Sequence, residues 1–493
     1  MPITRRDFLK AVGLTAAAAT VPRAALAAGG KRKSFVLIMA DDVSPDSYGC
    51  YRDYVRIPKP ANTPHLDRMA REGVMFVTAW GTPMCSPTRA MLMTGRYANR
   101  TKFYHNALKL AEGPDLVRDH LTFGKLLKQA GYATAIAGKW HVTGSGPHSK
   151  HGGFDEYSLW SGTKELARLP GKPKHTGAWE NDTTPSRYWH PCIVQNGKVV
   201  ATSPADFGPK IHTDFLCEFI RRSRGRPFFA YFPMAAPHGT REGTTTTPLR
   251  GKPGEMGRPA EAAERTARFR ALNEYIDVCV GRILETLEKE GLLDETVVLF
   301  TSDNGTAVTA KTRAVERGAR APLILSGGGV KKRGATMELA DLTDVLPTML
   351  DLARVKLPDG YEIDGRSLAP FLAGRTDSHR EWIYSTIGTS QMLRDKRWLL
   401  EAVNPILGSP RGRFYDCGTD RTGKGYKDVT ESKDPAALAA RKRFDEVLKR
   451  FPAIRRDDPF WQTKVGRKFL KAYTDPAAVK KHLHNHRDYE YGK

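Results

Sequence analysis

The stretch Ser34-Phe35-Val36-Leu37-Ile38-Met39-Ala40 is almost continuously apolar and ends abruptly in Asp41-Asp42. A strand with one wet face would alternate polar and apolar residues, so an unbroken run implies a strand buried on both faces of a parallel sheet. The pattern returns at residues 133–137, 228–232, 297–302 and 323–326. Helical periodicity fills the intervals, at 64–72, 121–130, 211–222, 261–290 and 342–352. Strands alternating with helices give an α/β sandwich around a mostly parallel sheet, whose ligands collect beyond the carboxyl ends of the strands. At 493 residues the chain exceeds one ordinary core, so a large domain over 28–370 and a smaller α+β subdomain over 371–493 are expected. The second is marked by short strand-like pieces at 382–386 and 398–400 and a charged helical tail. Two Gly/Pro/Thr-rich stretches, 145–209 and 239–259, read as long loops that shape a cleft.

At the N-terminus Arg5-Arg6 precede a mildly apolar run from Ala11 to Val21 and the small residues Ala25-Leu26-Ala27. This is the pattern of a twin-arginine (Tat) export signal over 1–27, too short to span a bilayer. The expected mature protein is therefore periplasmic or extracellular, is not membrane-spanning, and has the Tat translocase as a partner. The net charge is +24, and loss of Arg5, Arg6, Lys10, Arg23 and Asp7 with the signal removes three net charges and leaves +21. Such a field attracts anions, but no nucleic-acid motif accompanies it, and nucleic acid is not an expected partner. The six cysteines are too irregularly spaced for a zinc site or a disulfide scaffold.

Three constellations carry chemistry. Cys85-Ser86-Pro87-Thr88-Arg89 opens a helix-like segment, which puts Cys85 at a helix N-terminus with Arg89 one turn on, both able to face one anion. Taken alone, the cysteine fits a buried structural role better. Asp41-Asp42 and Asp303-Asn304 follow two strands. Four side-chain oxygens from two strand ends suit a hard divalent cation, calcium or magnesium, and the absence of His and Cys from these pairs argues against zinc. The third set comprises Lys139 and His141, His238, and Lys311, each beyond a strand.

The segments Asn62-Thr63-Pro64-His65-Leu66-Asp67, Gly73-Val74-Met75-Phe76 and Cys85 to Arg96 closely resemble the N-terminal signature of the type I sulfatases. The resemblance runs from about residue 34 to 385 and implies an alkaline-phosphatase-like α/β/α sandwich. It implies that Cys85 is oxidised to a formylglycine, whose hydrate is the nucleophile, by a formylglycine-generating or sulfatase-maturing enzyme. The family's usual serine at the fourth motif position is Thr88 here. It further implies that Asp41, Asp42, Asp303, Asn304 and modified Cys85 hold one Ca2+. Arg89, Lys139 and Lys311 would neutralise the sulfuryl group, with Asp303 as base, His238 as general acid and His141 releasing the sulfate. Related phosphodiesterases and phosphomutases carry a histidine where Asn304 stands. The substrate would be a sulfated small molecule or polysaccharide. A formylglycine-dependent phosphonate monoester hydrolase or phosphodiesterase shares these motifs, and an inactive polysaccharide-binding protein is a further alternative.

Overall fold

The computed structural model describes residues 32–461 and Arg467, apart from 56–59, 107–113, 143, parts of 163–183, 239–261, 307–310, 406–408 and part of 453–460. The export signal and the loop expected at 239–259 lie outside the described residues.

A ten-stranded sheet forms the frame. Its order is β12 (Gly334–Asp341), β2 (Val74–Trp80), β11 (Arg320–Gly327), β10 (Thr296–Ser302), β1 (Ser34–Ala40), β9 (Phe228–Pro233), β3 (Ala133–Gly138), β4 (Glu156–Trp160), β7 (Ile193–Gln195) and β8 (Lys198–Val199). β1 runs parallel to β10 and β9, and β3 continues the parallel block to β4. All seven residues of β1 are buried. Phe35, Leu37 and Met39 enter one core layer, and Val36, Ile38 and Ala40 the other, as the period of two requires. The first layer is closed by α2 (Cys85–Thr94), α3 (Phe123–Gln129) and α6 (Val345–Ala353), and the second by α1 (Pro64–Glu72), α4 (Gly208–Arg222) and α5 (Ala262–Lys289). This is an α/β/α sandwich with a mostly parallel sheet, as expected.

Several elements differ from the sequence reading. The run at 323–326 is a strand, but β11 pairs antiparallel with both β10 and β2. An apolar run reports burial on two faces and carries no strand direction. β2 and β12 have no counterpart in that reading; β12 is half-exposed along its first residues, so it lacks the buried signature. The expected loop at 145–209 contains β4, β7, β8 and a small ribbon of β5 (Trp179–Asn181) and β6 (Thr184–Pro185). Strands of two to five residues are too short to show a period.

Beyond the main sheet, β13 (Trp382–Ile387), β14 (Ser390–Asp395), β15 (Trp398–Val403), β16 (Arg413–Asp416) and β17 (Lys427–Asp428) form an antiparallel sheet. α7 (Pro435–Leu448) packs on it, with Phe444 edge-on to Phe414. A buried ion pair ties the two sheets: Arg394 on β14 donates to Glu316, just before β11, at 2.7 Å, and the Tyr426 hydroxyl donates to the other oxygen of Glu316 at 2.7 Å. Burial works against ionisation of Glu316, yet Arg394 and Arg320 hold its carboxyl below the ordinary value of 4.5. Its stabilising contribution is therefore complete at neutral pH and is lost as pH falls below that value. Glu316→Gln leaves Arg394 buried without its counter-charge and is expected to cost about 3–5 kcal/mol at pH 7. Urea unfolding at pH 7 and at pH 4 checks this, with a smaller difference from the wild type at the lower pH.

Candidate active site

Because β1 and β10 are parallel and in register from Ser34↔Thr296 to Ala40↔Ser302, the next residues of each emerge side by side. Asp41-Asp42 thus meets Asp303-Asn304. Asp42 takes a left-handed backbone (φ 63°), which ends the strand, and its N–H donates to Asp303 Oδ1 at 3.0 Å. α2 delivers Cys85 as its first residue and Arg89 one turn later. No side chain of its own N-cap residue closes that helix; the Ser86 N–H donates instead to Asn106 Oδ1 at 2.8 Å. Lys139 follows β3 through Gly138 (φ 120°), where a Cβ would lie 2.1 Å from the Pro233 carbonyl oxygen. Only glycine fits that crossing.

Asp41, Cys85, Arg89, Asp303 and Asn304 are fully buried, Asp42 and Lys139 nearly so. One ligand atom from each of Asp41, Asp42, Cys85 and Asp303 lies within 4.8 Å of the others. Cys85 Sγ sits 3.8 Å from Asp41 Oδ1 and 3.6 Å from Asp42 Oδ1. Arg89 donates to Asp303 Oδ2 at 2.8 Å, Asp41 Oδ2 at 3.2 Å and the Lys139 carbonyl at 3.0 Å. Lys139 Nζ also donates to Asp41 Oδ2, and Lys311 Nζ to Asp42 Oδ2 at 2.7 Å. His238 Nε2 lies 3.4 Å from Asp42 Oδ2. The His238 side chain is 21 % and that of Lys311 11 % exposed, so these two mark the open side.

Burial pushes each carboxyl up, and the neighbours decide the outcome. Lys139, His238 and Arg89 hold Asp41 well below its ordinary value. Burial and the charge of Asp41 raise Asp303 to about 6, and burial also leaves Asp42 raised. Burial and Asp303 push the Cys85 thiol well above its usual range. Half-buried His141, also left-handed (φ 53°), is held well below its ordinary value by burial, Lys139 and Arg89. Its carbonyl accepts from Ser86 Oγ at 2.7 Å, and its Nδ1 is buried without a partner.

The structure thus brings together Asp41, Asp42, Cys85, Arg89, Lys139, His238, Asp303, Asn304 and Lys311, with His141 beside them. The donor set fits a hard cation. Asn304 Nδ2 donates to Asp42 Oδ1 at 2.8 Å, while Asn304 Oδ1 is buried with no hydrogen-bond partner, an acceptor that a cation would satisfy. Two residues of the site were not found from sequence. Asn106 caps α2 from 20 residues further along the chain. Arg187 Nη1 lies 2.7 Å from His238 Nδ1. Neither sits in a motif or beside an apolar run.

The family model described as "Sulfatase" matches residues 33–355. The chain belongs to the sulfatase family. This sulfatase is a type I member of the alkaline phosphatase superfamily and a sulfuric ester hydrolase. It is 31% identical to the N-acetylgalactosamine-6-sulfatase of Rattus norvegicus over 73% of this chain and 68% of that protein. It is 30% identical to human (Homo sapiens) arylsulfatase A over 73% and 72%. The solved structure of BT4656 in complex with its substrate D-glucosamine-2-N,6-O-disulfate has a TM-score of 0.62 at 20% identity, covering 92% of this chain and all of that one. A TAT (twin-arginine translocation) pathway signal matches residues 2–22, so the sulfatase is exported to the periplasm or beyond. Among the described residues no helix is long and apolar enough to cross a membrane, and none of the six cysteines is in a disulfide.

The capping role of Asn106 is open to measurement. Asn106→Ala removes the acceptor for the Ser86 N–H and is expected to lower the unfolding free energy by about 1 kcal/mol. An unchanged urea midpoint would show that water replaces Asn106 at no cost.

Proposed function

We propose that this sulfatase uses a formylglycine made from Cys85, together with one bound Ca2+, to hydrolyse the sulfate ester of a carbohydrate. The observation that carries the reading is the convergence of Asp41, Asp42, Cys85 and Asp303 on one buried point beside the orphaned oxygen of Asn304. The Cys85 sulfur is the one soft atom among hard oxygens, and its conversion to a hydrated aldehyde replaces it with oxygen, which suits calcium. The carbohydrate assignment is supported by the name of the Rattus norvegicus relative and by the disulfated glucosamine bound to BT4656. Residues 28–370 form the catalytic unit in this reading and 371–493 the smaller subdomain, a division supported by the separate sheet that β13 to β17 form.

A bound cation supplies Lewis-acid charge to the sulfuryl oxygens. Arg89, Lys139 and Lys311 add positive charge that is already fixed in place, so little reorganisation is needed as charge develops. One hydroxyl of the formylglycine hydrate attacks sulfur and passes its proton to Asp303. His238, with Lys311, protonates the departing oxygen as the ester S–O bond breaks. His141 then takes the proton of the second hydroxyl; the C–O bond to sulfate breaks and the aldehyde returns. A serine has no second hydroxyl and could not regenerate itself in this way.

Removing a charged ligand should disable the centre. Asp42→Ala and Asp303→Ala are expected to lower kcat by more than about 10³-fold. Added calcium should raise the melting temperature of chelated wild type by mass action, but not that of either variant. Full activity after exhaustive chelation would overturn the metal assignment.

Maturation gives a second test. The Tat machinery carries folded proteins, and Cys85 is fully buried once the chain folds, so a maturing enzyme must reach it beforehand, in the cytoplasm. Mass spectrometry of the Cys85 peptide is expected to find the aldehyde already in protein held back from export. Cys85→Ala should fold and be exported but be inactive. Unmodified cysteine alone in fully active protein would remove the proposed nucleophile.

A further inference from the structure

The C-terminal sheet carries a hollow of its own. Between the segment that leads into β13, the turn joining β14 to β15, and α7, the surface forms a groove of about 560 Å3, a volume in the range of ligand sites. Four stretches of chain bring five cations to it, Arg366, Arg380, Lys396, Arg397 and Arg443, against two carboxylates, Glu381 and Asp395.

Most of these cations are fixed in place. Arg380, only 4 % exposed, donates to Asp344 Oδ2 at 2.8 Å and to the Asp364 carbonyl at 3.2 Å. Arg397 donates through Nε and Nη2 to the two oxygens of Asp416, at 3.0 and 2.7 Å, and stacks on Trp398 with 4.6 Å to the ring centroid. Lys396 pairs with Glu338. Side chains already ordered in this way lose little freedom when an anion arrives, and a guanidinium has five N–H donors, more than one carboxylate can use. The other two are hardly compensated. Arg443 approaches one carboxylate, Asp395, at 3.7 Å and is exposed. Among the described residues the side chain of Arg366, also exposed, meets no carboxylate; its backbone N–H donates to Asp344 Oδ1 at 2.8 Å.

The groove stands apart from the catalytic centre. β13 and β14 run antiparallel, with Trp382 opposite Asp395 at the groove and Ile387 opposite Ser390 at the far end. That far end meets the catalytic side: the Gly388 N–H donates to the Tyr104 carbonyl at 2.8 Å, two residues before Asn106, which caps the helix of Cys85. The six residues of β13 separate the two ends by roughly 20 Å of extended chain. A single sugar cannot reach across that span, whereas a polysaccharide can. We propose that the groove is a second binding site for sulfated polysaccharide, holding a stretch of the substrate chain remote from the ester being cleaved. Sulfate oxygens suit the planar forks of the arginines. Holding the chain there raises its effective concentration at Cys85, which lowers KM for the polymer and leaves kcat alone. The proposal takes the identity of its ligand from the carbohydrate reading above, so binding and turnover are measured separately.

The mature enzyme is titrated calorimetrically with dextran sulfate at an ionic strength of about 0.15 M. Arg366→Ala/Arg397→Ala is expected to weaken binding about tenfold. Arg221→Ala/Arg224→Ala, which removes two exposed charges at the end of α4, should change it less than about twofold. Equal losses in the two double variants would mean that net charge alone attracts the polymer, and would overturn the groove, as would no loss in the first. Polygalacturonate, which carries carboxylates and no sulfate, should compete poorly; equal competition per charge overturns the assignment to sulfated chains. In turnover, Arg366→Ala/Arg397→Ala is expected to raise KM about tenfold on sulfated polysaccharide with kcat held, and to leave 4-nitrophenyl sulfate hydrolysis unchanged. If polysaccharide is cleaved with an unchanged KM, the groove falls and the carbohydrate reading stands. If no polysaccharide releases sulfate while Arg366 and Arg397 still govern dextran sulfate binding, the carbohydrate reading falls and the binding site stands.

Discussion

Three carboxylates, Asp41, Asp42 and Asp303, stand together where water cannot reach them. Each would be strongly disfavoured as an anion if left alone. Three cations answer them: Arg89 bridges Asp41 and Asp303, Lys139 meets Asp41, and Lys311 meets Asp42. The protein's own charges then cancel, so the cation proposed for this site would tip the centre positive toward an anionic ester. Removing any one cation leaves a buried charge unanswered, so the cluster behaves as a unit.

That cluster depends on strand register. β1 and β10 are neighbours, parallel and unshifted over seven residues, which sets the two acidic pairs at one level. Lys139 comes from β3 and His238 from beyond β9, the strands on the other side of β1. The helix that carries Cys85 and Arg89 packs in the same core layer as Phe35, Leu37 and Met39. The sandwich thus supplies rigid ends, and the charges they present are compensated across them.

The outer part of the site is built differently. His238, Lys311 and Arg187 sit on connecting segments, stabilised by local hydrogen bonds and one stacked ring rather than by a sheet. The rigid, buried centre is thus separate from the connecting segments that border its open side.

The sequence by itself determined the two-faced strands, the acidic pairs that end β1 and β10, and the placement of Cys85 and Arg89 on one helix. In each case the signal is local: an apolar run, a motif, a turn of helix. It did not determine β2, whose run was legible only as part of a motif, nor β12, an edge strand half in water. Nor did it give the antiparallel direction of β11, since burial carries no direction. The approach of Arg187 to His238, 51 residues away, and of Asn106 to Ser86 left no trace in spacing or composition. Those contacts are made by side chains whose neighbours are chosen by the packing of distant segments, and only the folded chain decides them.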